Sequence, residues 1–375
     1  MQIAALITAL LALAGMAQLT LGARLTERFC APPRRPPLAR PPVSVMKPLC
    51  GVEPLLEEAL ESFFLLDYPE YQLVFGVQNS ADPVLPLLAR LRERYPERDV
   101  ALMVNDTPHG RNRKIANLIN MRPLARHERL VIADADVHVP PYYLDSIAAA
   151  LEAPGAGLAT TLYTGLPAGP GLAARLGATQ INHNFLPGAL LARWLGRQDC
   201  LGATMALSKT TLARIGGFAA LADHLADDQV LGRRVRAAGL GVVLAQVIPA
   251  TTVPEADLAA LFRHELRWGR TIRALVPLAF AGTILQIPLF WAVLALACSG
   301  FAWWGALLCL GALALRALCA QRVEAALRLP PTGAIWLFPM RDFLSIIIYI
   351  ASFTGRRVMW RGTPLTADSG RVEPS

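Results

Sequence analysis

The stretch Leu130-Val-Ile-Ala-Asp134-Ala-Asp136-Val-His-Val139 constrains this chain most. A short continuous apolar run reads as a strand buried on both faces, the kind found at the centre of a parallel α/β sheet. In such sheets ligands sit outside the carboxyl ends of the strands, which puts Asp134 and Asp136 at the binding edge. Alternate residues of an extended segment point the same way, so both carboxylates can face one divalent cation and the phosphates it carries. An Asp-x-Asp that merely closes a strand and opens a turn would read the same, so the flanking sequence decides.

Of the 375 residues 54% are hydrophobic and 17% charged, with a mean hydropathy of +0.39. That is too apolar for one ordinary soluble domain, and the length suits a catalytic domain of about 200 to 250 residues plus membrane segments. The net charge of +8 comes from Arg clustered beside apolar segments, while the middle of the chain is not basic. This argues for an anionic membrane surface and against nucleic acid. The six cysteines, at 30, 50, 200, 298, 309 and 319, form no CxxC pair. They are neither a disulfide framework nor a zinc site, and they fit a reducing compartment.

Residues 1–23 read as an N-terminal transmembrane anchor, since the apolar run Ile3 to Gly22 is long enough to span. No Lys or Arg precedes it, whereas Arg24, Arg28, Arg34, Arg35 and Arg40 come after it, which argues against a cleaved signal peptide. The positive-inside rule then places the chain beyond Arg24 in the cytoplasm. Residues 24–42 are a basic, Pro-rich linker. A catalytic domain at 43–254 opens with strand and helix patterns in alternation: strands at Val43 to Met46, Tyr71 to Val77, Val100 to Val104 and Leu130 to Ala133, helices at Val52 to Leu66, Val84 to Tyr95 and within Gly110 to Met121. The alternation predicts a Rossmann-like sheet, and the lack of a glycine fingerprint after the first strand argues against a dinucleotide oxidoreductase. From Gly155 the pattern loosens into expected loops over the active-site face, with strand-like pieces at Ala203 to Leu207 and Gly241 to Val247. A helix from Asp227 to Ala238 lies between those two pieces.

Residues 255–273 read as an amphipathic interfacial helix, with Leu258, Leu261, Phe262, Leu266 and Ile272 on one side and Arg263, Arg267, Arg270 and Arg273 on the other. Residues 274–319 predict a transmembrane hairpin, Ala274 to Cys298 and Phe301 to Leu318. Residues 320–375 hold an apolar stretch, Thr332 to Thr354, broken by Arg341-Asp342, and a basic tail with Arg356, Arg357 and Arg361. An ion pair in a bilayer is costly unless it reaches an interface or a cavity, so that stretch reads as re-entrant or interfacial.

Asp82, Asp134 with Asp136, Asp228, and His264-Glu-Leu-Arg267-Trp268 therefore stand in a fixed order. This order resembles the Asp, Asp-x-Asp, Asp, (Gln/Arg)-x-x-Arg-Trp pattern of family 2 glycosyltransferases. The ceramide glucosyltransferases of family 21 are more similar still, through Val43-Ser-Val-Met-Lys47-Pro-Leu-Cys-Gly51-Val-Glu-Pro, Phe63-Phe-Leu-Leu-Asp67-Tyr-Pro, Lys114-Ile-Ala-Asn117-Leu, Ala226-Asp-Asp228 and the C-terminal Trp360-Arg-Gly. Within that group the chain looks most like the bacterial hopanoid-biosynthesis-associated glycosyltransferases. The resemblance implies a fold of glycosyltransferase A type, a mixed nucleotide-sugar-binding sheet with N- and C-terminal transmembrane helices.

The resemblance further implies an inverting, metal-dependent enzyme of the bacterial inner membrane, multi-pass with its catalytic domain cytoplasmic. Its donor is a UDP-sugar and its acceptor a membrane lipid, a hopanoid receiving N-acetylglucosamine or, alternatively, ceramide receiving glucose. Asp134 and Asp136 hold Mg²⁺ or Mn²⁺, and Asp82, Lys114, Arg263 and His264 join them around the nucleotide sugar. Asp228 is the catalytic base, with Arg267 on the diphosphate and Trp268 beside the acceptor. The chemistry asks for these types independently: a departing diphosphate needs its charge neutralised, and an attacking hydroxyl needs a base within hydrogen-bonding reach. His264 stands where the family pattern has Gln or Arg, which would make activity sensitive to pH near neutrality. A polysaccharide synthase would need more spans than are visible here, and a non-catalytic scaffold would be expected to lose at least one acid.

Overall fold

The computed structural model describes residues 2–32, 35–331 and 335–355, and the backbone of three short strands beyond them. Arg34, Arg356 and Arg361, three of the arginines on which the expected orientation rests, lie outside the described residues.

Helix α1 (Gln2–Cys30) continues past the expected boundary at residue 23. Then β1 (Val43–Leu49), α2 (Leu56–Phe64), β2 (Tyr71–Val77), α3 (Val84–Arg94), β3 (Asp99–Val104), α4 (Arg113–Met121) and β4 (Arg129–Ala133) alternate as the periodicity predicts. After them come β5 (Val137–His138), α5 (Tyr143–Leu151), β6 (Ala156–Thr160), β7 (Thr164–Pro167), α6 (Leu172–Gln180) and α7 (Leu186–Trp194). The catalytic region closes with β8 (Thr204–Ser208), α8 (Lys209–Arg214), α9 (Asp227–Ala237), β9 (Gly241–Leu244) and β10 (Ala250–Val253).

The main sheet has the order β3-β2-β1-β4-β8-β6-β9. β1 to β4 pair in parallel, and β8 runs antiparallel to both β4 and β6, so the sheet is mixed. Its parallel strands are apolar on both faces because helices cover both: Leu60 and Phe63 of α2, Leu88 of α3 and Ile147 of α5 fill one core, and Ile115 and Leu118 of α4 with Val230 and Val235 of α9 fill the other. The carboxyl ends of β1, β2 and β4 therefore share one edge. A second sheet, β5-β10-β7, stands beside it.

The stretch 166–171, expected as a loop, leaves β7 as one, but helix comes straight after it. α6 and α7 are joined through a π-helical turn at Ile181–Phe185. Among the large buried apolar residues Leu176, Ile181, Leu186 and Leu190, their buried face also sets Ala173, Ala174, Gly177 and Ala178, small residues that blur the apolar periodicity.

Helix α10 (Leu258–Leu275) is capped by the Asp257 carboxylate, which accepts from the Ala260 amide at 2.7 Å. α11 (Pro277–Gly282) and α12 (Pro288–Cys298) come next, then α13 (Trp303–Leu327), α14 (Leu337–Ser352) and the strands β11 (Arg357–Trp360), β12 (Thr363–Asp368) and β13 (Arg371–Pro374). By length and apolar composition α1 and α13 can cross a membrane, and the pair Pro277–Gln286 with Pro288–Cys298 is bent by 68°. The straight first arm expected over Ala274 to Cys298 is thus a broken one. Pro288 offers no amide to the preceding turn and its ring crowds the carbonyl behind it. α13 also runs past residue 319. α1 lies against α12 and α13, with Ala12, Ala292 and Ala312 in one small cluster.

Candidate active site

The C-terminal edge of the main sheet carries the acidic residues of the ordered motif. Asp134 comes directly after β4, and its Oδ1 lies 2.6 Å from Lys114 Nζ in the first turn of α4. The same ammonium stands 3.6 Å from Oδ2 of Asp227, which opens α9. Burial works against the Lys114 charge, but Asp134 and Asp227 outweigh it and hold its pKa above the ordinary value. Lys114 is therefore a buried link between two elements and not a solvated surface lysine. Asn112 caps α4 through the Ile115 amide, and its Nδ2 donates to the His224 carbonyl at 2.8 Å, tying α4 to the loop that leads into α9.

Asp136 is held by the Thr251 hydroxyl on β10. Burial, then the neighbouring Asp134 charge, pushes its carboxyl up to about 6. Two neighbouring carboxylates that repel each other, both with oxygen donors, suit a hard divalent cation. Among the described residues no group of three or more His, Cys, Asp or Glu gathers for a metal, so an ion here would complete its shell with ligand or water oxygens.

Asp228 is half-buried, and its Oδ1 accepts from the Gln229 amide at 2.7 Å. Its carboxyl is pushed up to about 7, first by burial and second by Asp227, so like-charge repulsion is the smaller cause. Gly202 leaves the space the carboxylate needs: a Cβ there would stand 3.1 Å from Asp228 Oδ2.

Asp82 sits at the same edge on other duties. Both of its oxygens accept from the Gly51 amide at 3.0 Å, and Oδ1 also caps α3 at Val84. Gly51 has φ +74°, a conformation that favours glycine, so Asp82 fixes a tight turn after β1.

Trp268 on α10 packs with Tyr163 and Phe185 against Val253 and Ile181. The Tyr163 and Phe185 rings lie 4.8 Å apart, and the half-buried Tyr163 feels the charges of Asp228, Asp134 and Asp136. Through this aromatic wall α10 meets the acidic edge. His264 is bonded through Nδ1 to Glu255 and stands 4.5 Å from the Trp268 ring, edge to face. Burial raises the Glu255 carboxyl, but the His264 hydrogen bond and charge, with Arg267 nearby, hold it below the usual carboxylate value. His264 thus faces Glu255 and Trp268 in this structure. Arg263 lies exposed on the same helix.

Sequence reasoning passed over Lys47, Glu255 and Tyr163. Lys47, in the middle of β1, is fully buried. Its Nζ donates to the Asp134 carbonyl at 2.7 Å and lies 3.7 Å above the Phe63 ring. Burial pushes its pKa down to about 7, against the pull of Asp136 and Asp134. A charged residue inside an otherwise apolar strand was the available signal.

The comparisons with known proteins agree with this geometry. The sequence model of glycosyl transferase family 21 matches residues 5–372. Ceramide glucosyltransferase 1 of Caenorhabditis elegans is 21% identical over 237 residues, 63% of this chain and 51% of that protein. Ceramide glucosyltransferase 3 of the same organism is 31% identical over 97 residues, 26% of this chain and 21% of that protein. The chain spans about half the length, or less, of these curated relatives. A mannosyltransferase from Pyrobaculum calidifontis, solved with GDP-Man and Mn²⁺, shares the fold at a TM-score of 0.53 and 20% identity, over 94% of this chain and 98% of that one. Because the family match takes in the first helix, the acidic sheet edge and α10 alike, the chain belongs to glycosyl transferase family 21.

Proposed function

We propose that this protein is a membrane-bound inverting glycosyltransferase that moves a sugar from a UDP-sugar to a hydroxyl of a membrane lipid. The observation that carries the reading is the position of Asp228, half-buried in the first turn of α9 at the ligand-binding edge and beside the Lys114–Asp134 pair, where its surroundings raise its carboxyl toward neutrality. A base poised near neutrality suits removal of a hydroxyl proton. Asp228 accepts that proton, the acceptor oxygen forms a bond to the anomeric carbon, and the bond from that carbon to the UDP oxygen breaks with its electron pair leaving on the diphosphate. One in-line displacement turns an α-linked donor into a β-glycoside.

Lys114 and Arg267 supply fixed positive charge where negative charge builds on the diphosphate. Lys47 holds the Asp134 carbonyl and so the loop that carries both acids. Mg²⁺ or Mn²⁺ held by Asp134 and Asp136 would neutralise the leaving diphosphate. Trp268, Tyr163 and Phe185 form an aromatic flank that excludes water, and Asp82 orders the turn at Gly51 on the nucleotide side. The catalytic domain faces the cytoplasm in this reading, where nucleotide sugars are made.

The relatives named as ceramide glucosyltransferases favour a ceramide acceptor and glucose. The motif resemblance to the bacterial branch favours a bacteriohopanepolyol and N-acetylglucosamine. Membranes containing the full chain, given UDP-glucose or UDP-N-acetylglucosamine with either lipid, should yield one glycolipid by mass. Excess chelator should stop the reaction and added Mg²⁺ or Mn²⁺ restore it. Donor hydrolysis without any lipid product would overturn the lipid-acceptor reading, and full transfer in chelator would remove the metal from it.

A further inference from the structure

A cleft of about 670 Å³ opens between the end of α7, the face of α9 that carries Gln229, next to Asp228, and the junction of α10 with α11. Arg197, Arg233 and Arg236 line one side, and Leu275 and Val276 line the other. Among the described lining residues Asp199 is the one carboxylate, and Arg197 grips it through two bonds of 2.7 and 2.9 Å. Arg236 spends one nitrogen on the Gln198 carbonyl, and Arg233 lies exposed at helical spacing from it. Three guanidiniums against one carboxylate leave the cleft basic.

Its rim is apolar. Trp194 and Leu195, at the end of α7, are 60% and 68% exposed, and Leu278, just past the α10–α11 junction, is 89% exposed. Soluble surfaces rarely offer a Trp and two leucines to water around a charged hollow, whereas the border of a bilayer asks for this pairing. Two contacts put the cleft at that border. The wall residues Leu275 and Val276 lead straight into the bent apolar pair that begins at Pro277. The start of α7 touches the membrane-length helices, with Pro187 against Gly22 of α1 and Gly188 against Gln286.

We propose that this cleft binds the phosphate headgroup of an anionic phospholipid from the leaflet on which the catalytic domain sits. Trp194, Leu195 and Leu278 enter the acyl boundary, and Arg197, Arg233 and Arg236 take the phosphate oxygens, a planar-fork recognition for which arginine is better suited than lysine. The site differs in chemistry from the acidic edge, and it does not rest on the glycosyltransferase reading.

The test uses the full chain in detergent, titrated with short-chain phosphatidylglycerol or phosphatidylcholine of equal chain length and monitored by native mass spectrometry. The wild type should retain phosphatidylglycerol preferentially. Arg233→Gln, an exposed position, should lower that affinity about fivefold, and the triple change of Arg197, Arg233 and Arg236 to Gln should erase the preference. An unchanged melting temperature in Arg233→Gln keeps its result readable if the triple variant misfolds. Equal retention of both lipids by the wild type, or an unaltered preference in Arg233→Gln, would overturn the proposal. So would soluble glycerol phosphate binding as tightly as the lipid, because the membrane would then contribute nothing.

Discussion

Two clusters of charge are built on different principles. At the sheet edge, Asp134, Asp136, Asp227 and Asp228 face Lys114 and Lys47, so negative charge is in excess. Among α10, α13 and α14, Arg341 of α14 forks onto Glu265 with two bonds of 2.8 Å, and Arg316 of α13 meets Asp342 at 2.8 Å and Asn184 at 3.0 Å. There each of these acids has a cation. Arg341 and Asp342, adjacent in sequence, do not pair with each other but with partners on separate helices. Buried charges in low dielectric must be matched from somewhere. The matched cluster balances charge for charge and ties α10, α13 and α14 together. The unmatched one leaves positive charge to be brought by whatever binds, which is the mark of a site.

Each cluster can be disrupted separately. Asp228→Asn keeps the shape and removes the proton acceptor, so turnover should fall by roughly two to four orders of magnitude with donor affinity nearly unchanged. Near-native turnover in a lipid-transfer assay would move the base elsewhere, Asp227 first. Arg341→Met leaves Glu265 buried and alone, and should cost about 3–5 kcal/mol of stability, read as a lower melting temperature. Combining it with Glu265→Leu should recover most of that loss. If the single change costs nothing, the matched cluster is not structural.

Lys47→Met removes the bond to the Asp134 carbonyl and should weaken UDP binding by about 10 to 100-fold, the usual range for residues that orient a ligand-holding group. Calorimetric titration that gives wild-type affinity would dismiss this positioning role. The smallest effect is the pH profile. Asp228 must be unprotonated to accept, and its pKa is raised to about 7, so the deficit appears on the acid side. Turnover should drop about fivefold between pH 7 and pH 6 and level off above about pH 8. A flat profile from pH 5 to 8 would mean that another group, or another step, limits the rate.

The βα half was legible because each strand of β1 to β4 is an apolar run between helical patterns, and buried parallel strands look that way whatever lies around them. Asp134, Asp136 and Asp228 were legible as an ordered motif. The residues that stayed hidden depend on distant partners. Lys47 is explained by a carbonyl 87 residues away, and Arg341 by a glutamate 76 residues away. The helical stretch from Leu172 to Trp194 was harder to read for a different reason: Ala173, Ala174, Gly177 and Ala178 share its inner face with the leucines, and small residues weaken the contrast that reveals a helix. His264 shows the limit of reading by position alone, since its ring is committed to Glu255, a residue outside the motif.

The packing of α1 against α12 and α13 has a consequence for how the protein is made. The ribosome delivers α1 first and its neighbours only after the whole catalytic domain has been synthesised. The Arg322–Glu27 bridge, 2.6 and 2.7 Å, and the Ala12–Ala292–Ala312 cluster then close a bundle whose halves are separated by the rest of the chain. During that interval the small-residue face of α1 has neither α12 nor α13 against it. Chain arrest before residue 288 should therefore leave a folded sheet with that face open, read as faster proteolysis of the arrested chain than of the full one.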